Sequence, residues 1–196
     1  MKKLLFIGLF LTVALLTVSA QGLYLDAGIG LGYPTTRIEG NNLSDGFSFG
    51  IGFELGLKAG YGPIADLPLY AVGAFGAMGH RFSDNRNWVL YNSYLFGPGV
   101  LYYPIPLVQL AATVGYSFTN SYASQSLQRW DFVDGRGFGF DVSAAVDLGK
   151  GDHGALIGLR YFAVFNTSTS DWGNESIRKS LISVFGRYTF RQKLER

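Results

Sequence analysis

Imidazole is the first side chain to look for in a chain of 196 residues, because general bases, nucleophile partners and metal ligands all draw on it, and only two are present. His80 stands three residues before Ser83, the nearest approach to a hydrolytic pair. On a strand, residues three apart face opposite sides, whereas a Ser–His relay needs both side chains within hydrogen-bond reach. The spacing therefore argues against a hydrolase. His153 lies far along the chain and shares no local motif with His80. Cysteine is absent, which removes thiolate metal sites, disulfides and a lipid-attachment cysteine. Gly28-Ile29-Gly30-Leu31-Gly32 has the glycines of a phosphate loop, but no helical pattern follows and no Walker lysine is in place. The expectation is a protein with no catalytic residue, no metal site and no cofactor, and not an enzyme.

What remains is charge placed on strands of unusual length. From Phe47 to Tyr61 every odd position is apolar, and the even positions are Ser48, Gly50, Gly52, Glu54, Gly56, Lys58 and Gly60. A strict period of two means an extended strand with one greasy face and one small or polar face. Glycine cannot form the hydrated exterior of a soluble sheet. The greasy face is expected outside, against lipid, and the small face inside a narrow barrel.

The start of the chain points to export. Lys2 and Lys3, the apolar Leu4 to Leu16 and Val18-Ser19-Ala20 have the three-part layout of a signal peptide cut after Ala20. An uncleaved anchor would need roughly 20 apolar residues. Without Lys2 and Lys3 the 16 basic residues fall to 14, equal to the 14 acidic ones, so nucleic acid is not an implied partner. Charged residues are 15% and hydrophobic ones 48%, yet the hydropathy never gathers into one long run. High apolar content spread as alternation suits a closed sheet, which satisfies its backbone groups in lipid without helices.

Eight stretches of suitable length follow: Leu23 to Tyr33, Phe47 to Tyr61, Leu69 to His80, Asn92 to Tyr103, Leu107 to Asn120, Arg136 to Leu148, Ala155 to Asn166 and Ser180 to Phe190. The facing of the third is ambiguous, and Pro98 in the fourth predicts a bulge or a weak pairing. Short joints (Gly62 to Leu67, Pro104 to Pro106, Gly149 to His153) alternate with longer polar segments (Pro34 to Gly46, Arg81 to Tyr91, Ser121 to Gly135, Thr167 to Arg178). In membrane barrels the short turns face the periplasm and the long loops the exterior, which puts His80 and His153 at opposite ends. The predicted organisation is a signal peptide over 1–20, an all-β, eight-stranded antiparallel up-and-down transmembrane β-barrel over 21–190, and a short periplasmic tail over 191–196.

The chain resembles the small eight-stranded outer-membrane proteins of diderm bacteria, the group of the OmpA membrane domain and the OmpX, OmpW and opacity-type proteins. The most specific match is the last strand, where Val184, Gly186, Tyr188 and Phe190 alternate toward an aromatic residue. The resemblance implies that these four form the C-terminal signal read by the barrel-assembly machinery, although Phe190 is followed by six further residues. It also implies residence in the cell outer membrane, with outer-membrane lipid as partner and a monomeric state. Architecture does not give function.

Alternation places Asp26, Glu54, Lys58, Asp141, Asp147, Arg160 and Arg187 inside. Counting from the periplasmic ends brings Asp26, Lys58 and Arg187 together as a triad and sets Asp141 level with Arg160. Such pairs would plug the bore, since a buried charge without a partner costs several kcal/mol; the bland alternative is charges hydrating a water-filled core. Trp88, Trp130 and Trp172, with Arg86 and Arg129, fall in the outer loops and are candidates for contact with host or surface ligands, against the alternative that isolated rings lie in the headgroup zone. The leading reading is a non-enzymatic outer-membrane barrel with a polar, plugged interior and extracellular loops serving surface interaction or envelope integrity. The alternative is a narrow OmpW-like channel for small or hydrophobic solutes, with a side gap near Pro98.

Overall fold

A computed structural model describes residues 22–39, 50–64, 67–83, 88–123, 135–149, 151–170 and 173–192. Eight strands, β1 (Leu23–Glu39), β2 (Gly52–Tyr61), β3 (Leu69–Ser83), β4 (Trp88–Ile105), β5 (Val108–Ala123), β6 (Gly135–Asp147), β7 (His153–Ser170) and β8 (Gly173–Arg191), pair antiparallel in chain order. β8 pairs back onto β1, so the sheet has no free edge. The end that carries Leu23 and Arg191 is the lower end here, and the end where β3 meets β4 at Ser83 and Trp88 is the upper.

The alternation reads directly into the wall. Ile29 is 69% exposed, Ile51 76% and Val184 59%, all on the outer face. Asp26, Glu54, Lys58, Asp141, Arg160 and Arg187 on the inner face are each 1–4% exposed. β3 is no longer ambiguous: Val72, Gly76, Met78 and His80 line the bore, while Phe75 packs outside against Phe96, the rings tilted and their centroids 4.7 Å apart.

Several strands run further upward than alternation predicts. β3 and β4 pair to Ser83–Trp88, β1 and β8 to Glu39–Ser176, and β7 and β8 to Ser170–Gly173. Much of the sequence expected in loops, including residues 34–39, 88–91 and 167–170, is therefore strand. Residues 34–39 and 167–170 are mostly polar, but their backbone pairs regardless, and the threonines at 35, 36, 167 and 169 suit a pleated surface; residues 88–91 are Trp-Val-Leu-Tyr, with the aromatic and β-branched types that favour a strand. Trp88, expected in a loop, is the first residue of β4. At 19 residues β8 far exceeds the roughly 9–11 that a tilted strand needs to cross a bilayer. At the lower end His153 opens β7 rather than lying in the turn, and its Nδ1 shares a hydrogen bond with the Tyr188 hydroxyl.

Pro98 acts in part as expected. The rungs at Gly97 and Pro98 are missing from the β4–β5 ladder, but the register is the same on both sides of them, and the shift comes lower, between Tyr102 and Ile105. A Cβ on Gly97 would overlap the Val114 carbonyl oxygen, and one on Gly115 that of Phe96. Glycine lets the two backbones touch where proline cannot donate.

Candidate functional site: the layered bore

The six inner charges midway along the bore form one alternating chain rather than separate pairs. Asp26 lies 3.8 Å from Arg187, Arg187 3.6 Å from Glu54, Glu54 3.3 Å from Arg160, Arg160 3.0 Å from Asp141, and Asp141 3.8 Å from Lys58. Three acids alternate with three bases, and the sum is neutral. Ser183 adds a hydroxyl donor to Glu54 at 2.7 Å. A buried charge stripped of its partner costs about 3–5 kcal/mol; in this chain no member lacks an opposite charge, and every interior member has two.

Glycine makes the chain possible. A Cβ at Gly56 would sit 2.9 Å from Arg187 Nη2, one at Gly76 2.6 Å from Arg160 Nη2, and one at Gly30 2.8 Å from Glu54 Cγ. The glycine-rich inner face thus leaves the volume that two guanidinium groups occupy. Both are also laid on rings, Arg160 over Phe162 at 4.7 Å and Arg187 over Phe185 at 4.1 Å.

Below the chain lies a collar of rings and amides. Tyr24, Val72, Leu101 and Ala111 pack together with Tyr70 against them. Gln109 donates to the Tyr24 and Tyr103 hydroxyls at 2.8 and 2.6 Å, and Tyr24 donates to Asp26 at 3.1 Å. Asp147 belongs to this lower end: its carboxylate meets Arg191 at 2.8 Å.

Above the chain Met78, Leu95, Phe162, Val164 and Leu181 form an apolar plug. Over that plug the wall turns polar again. Ser93 and Thr119 share a hydrogen bond at 2.7 Å, Asn166 donates to Thr119 at 2.7 Å, and Ser117 donates to Asn166. Thr36 Oγ1 meets His80 Nε2 at 2.7 Å. Lys179 is register partner to Thr36 on one side and Val164 on the other. It is 2% exposed, its Nζ has no hydrogen-bond acceptor, and no carboxylate among the described residues pairs with it. Among the described residues the Tyr91 ring lies against it, its centroid 3.8 Å from the ammonium. A desolvated cation–π contact contributes about 2 kcal/mol, less than the several kcal/mol that burying an ammonium costs.

The expected triad is thus brought together in part. Asp26 and Arg187 meet, whereas Lys58, though register partner to Asp26, extends across the bore to Asp141 on the opposite wall. Asp141 and Arg160 are in contact. Glu54, assigned to no pair from the sequence, bridges the two arginines, and Asp147 stands apart from the chain. Lys179 was missed, although Lys179, Leu181, Ser183, Phe185 and Arg187 continue one period of two. Arg86, Arg129, Trp130, Trp172 and residues 1–20 lie outside the described residues, and for Trp88 only the strand position is described. Val184 and Tyr188 stand on the outer face of β8, a Cβ at Gly186 would meet nothing within 4 Å, and Phe190 lies against the His153 ring at 5.3 Å. His80 faces the bore, not lipid. No group of three or more potential metal ligands occurs among the described residues.

No family model and no curated protein sequence matches the chain. Among solved structures it is similar to Ail, the attachment invasion locus protein of Yersinia pestis, in complex with the heparin analogue sucrose octasulfate. The identity is 13% and the TM-score 0.57, over 87% of this chain and 99% of that one. It is also similar to Neisserial surface protein A at 15% identity and TM-score 0.49, over 84% and 95% of the two chains. OprG of Pseudomonas aeruginosa follows at 10% and 0.46, over 88% and 97%. At these identities the likeness is one of architecture. The closed antiparallel meander, its greasy exterior and its charged bore give this chain the fold of the small eight-stranded outer-membrane barrels.

Proposed function

We propose that the protein is a non-enzymatic integral outer-membrane barrel of a diderm bacterium, exported with residues 1–20 as a cleaved signal peptide. In this reading the solid bore holds the wall rigid, while the upper strand extensions and their loops contact surface or host molecules or support envelope integrity. One observation carries it: large apolar side chains cover the outside while six charges at 1–4% exposure fill the inside, the reverse of a water-soluble sheet. The strand excess at the upper end supports a role there, because it extends the described wall beyond what crossing a bilayer needs. Ail was solved with a heparin analogue; for this chain, Trp88, Trp130, Trp172, Arg86 and Arg129 are the residues proposed to meet a surface ligand. Val184, Gly186, Tyr188 and Phe190 are proposed to engage the barrel-assembly machinery, and the monomer in lipid is the working unit.

The test is electrophoretic and electrical. The protein from outer-membrane fractions is expected to migrate differently boiled and unboiled, to need detergent for solubility, and to give no steady conductance in planar bilayers. A detergent-free soluble monomer would end the membrane reading. A steady pore with a defined solute preference would instead support the narrow channel, which requires the charge chain to part.

A further inference from the structure

Lys179 is the one buried charge in the described bore with no counter-charge, and its register partner Thr36 is bonded to His80. We infer that this upper layer of the bore is a binding site for a small oxyanion, with Lys179 as its cation and the Thr36 hydroxyl and His80 ring as its polar neighbours. Four observations converge. Lys179 Nζ has no hydrogen-bond acceptor at 2% exposure. Thr36, its register partner, is held by His80 at 2.7 Å, so a hydroxyl and an imidazole are fixed beside it. The Tyr91 ring lies 3.8 Å from the ammonium on one side and leaves its other N–H donors unused, three being available on a lysine. The apolar plug of Met78, Leu95, Phe162, Val164 and Leu181 stands between it and the acids of the charge chain, so none of those three carboxylates reaches it.

Thr35 and Ser180, flanking Thr36 and Lys179, share an exposed hydrogen bond at 2.6 Å on the outer face. Lys179 therefore lies in the upper part of the wall, where exposed polar groups join outward rings such as Phe165. Seating an oxyanion there would supply the negative charge whose absence makes the lysine costly, and a sulfate, phosphate or carboxylate group accepts several donors at once.

The experiment follows heat unfolding of the refolded full barrel in detergent by gel shift, at constant ionic strength, against rising sulfate or phosphate with chloride as balance. For the wild type the midpoint is expected to rise saturably, by about 5–10 °C once the ion exceeds its dissociation constant a hundredfold. Lys179→Met is expected to lose the saturable rise, Thr36→Val to shift it to several-fold higher concentration, and Arg178→Gln, a change at an exposed arginine one residue away, to keep it. Should Lys179→Met fail to fold, Lys179→Gln takes its place. A rise equally large without the lysine, or one that grows linearly with any salt, as general salt exclusion gives, overturns the site. The same gels report folding itself, so a negative result here leaves the membrane reading untouched.

Discussion

The middle and the top of this bore solve the same problem in opposite ways. Midway, Asp26, Arg187, Glu54, Arg160, Asp141 and Lys58 alternate in sign within 3.0–3.8 Å of one another and sum to zero. At the top, Lys179 is as deeply buried but faces hydroxyls, an imidazole and a ring. A layer that balances its own charge has no need of a solute, whereas a layer that carries one uncompensated charge gains from one. Burial alone therefore does not separate structure from binding; charge balance at equal burial does.

Removing a central member should break that contrast hardest. Arg160 links Asp141 and Glu54, which keep Lys58 and Arg187 as their other partners, so Arg160→Met leaves the buried layer one base short and is expected to cost about 3–5 kcal/mol, read as a lower midpoint in urea unfolding followed by gel shift. The double change Arg160→Met with Glu54→Gln restores neutrality and should recover a large part of the loss. A single variant as stable as the wild type would mean that water, not partners, solvates the middle layer.

At the top the sign reverses. In buffer free of sulfate and phosphate, Lys179→Met removes an unmatched ammonium and extends the apolar plug, so it is expected to raise stability by roughly 1–4 kcal/mol. The same urea gels measure it. A loss of stability instead would show the cation to be satisfied where it stands, and the two layers would be alike.

How far the sequence foretold these layers depends on the distance over which each contact reaches. Strand count, the antiparallel meander and the outward facing of residues such as Ile29 and Val184 follow from a period of two, which is a local signal. The contact of Asp26 with Arg187 joins neighbouring strands, and level counting finds it. Lys58 with Asp141 and Arg160 with Glu54 join strands that are not neighbours in the ladder, and only the width of the bore decides whether such long side chains meet. Glu54 was visible as an inward acid, but its role as bridge was not. Lys179 was lost because the polar 167–178 segment reads as a loop, and the strand around it forms by backbone pairing that polar side chains neither encode nor oppose. Asp147 was read as one of the network because alternation gives a face but not a height.

The smallest effect concerns the glycines, and it separates filling from mere lining. Gly76 and Gly186 both sit in strands, but a Cβ at Gly76 would lie 2.6 Å from Arg160 Nη2, while one at Gly186 would meet nothing within 4 Å. Adding a methyl group to a filled interior costs typically about 1–3 kcal/mol, and the guanidinium is the movable end of a flexible chain, which favours the low end for Gly76→Ala. Gly186→Ala relieves an open strand position of its excess conformational freedom and should gain roughly 0.5–1 kcal/mol. Opposite signs from the same substitution on the two faces of one sheet, read as midpoint shifts in the same unfolding gels, are the expected result. Equal shifts would mean that the inner glycines leave slack around the arginines, and the charge chain would then be held by electrostatics alone rather than by a space cut to its shape.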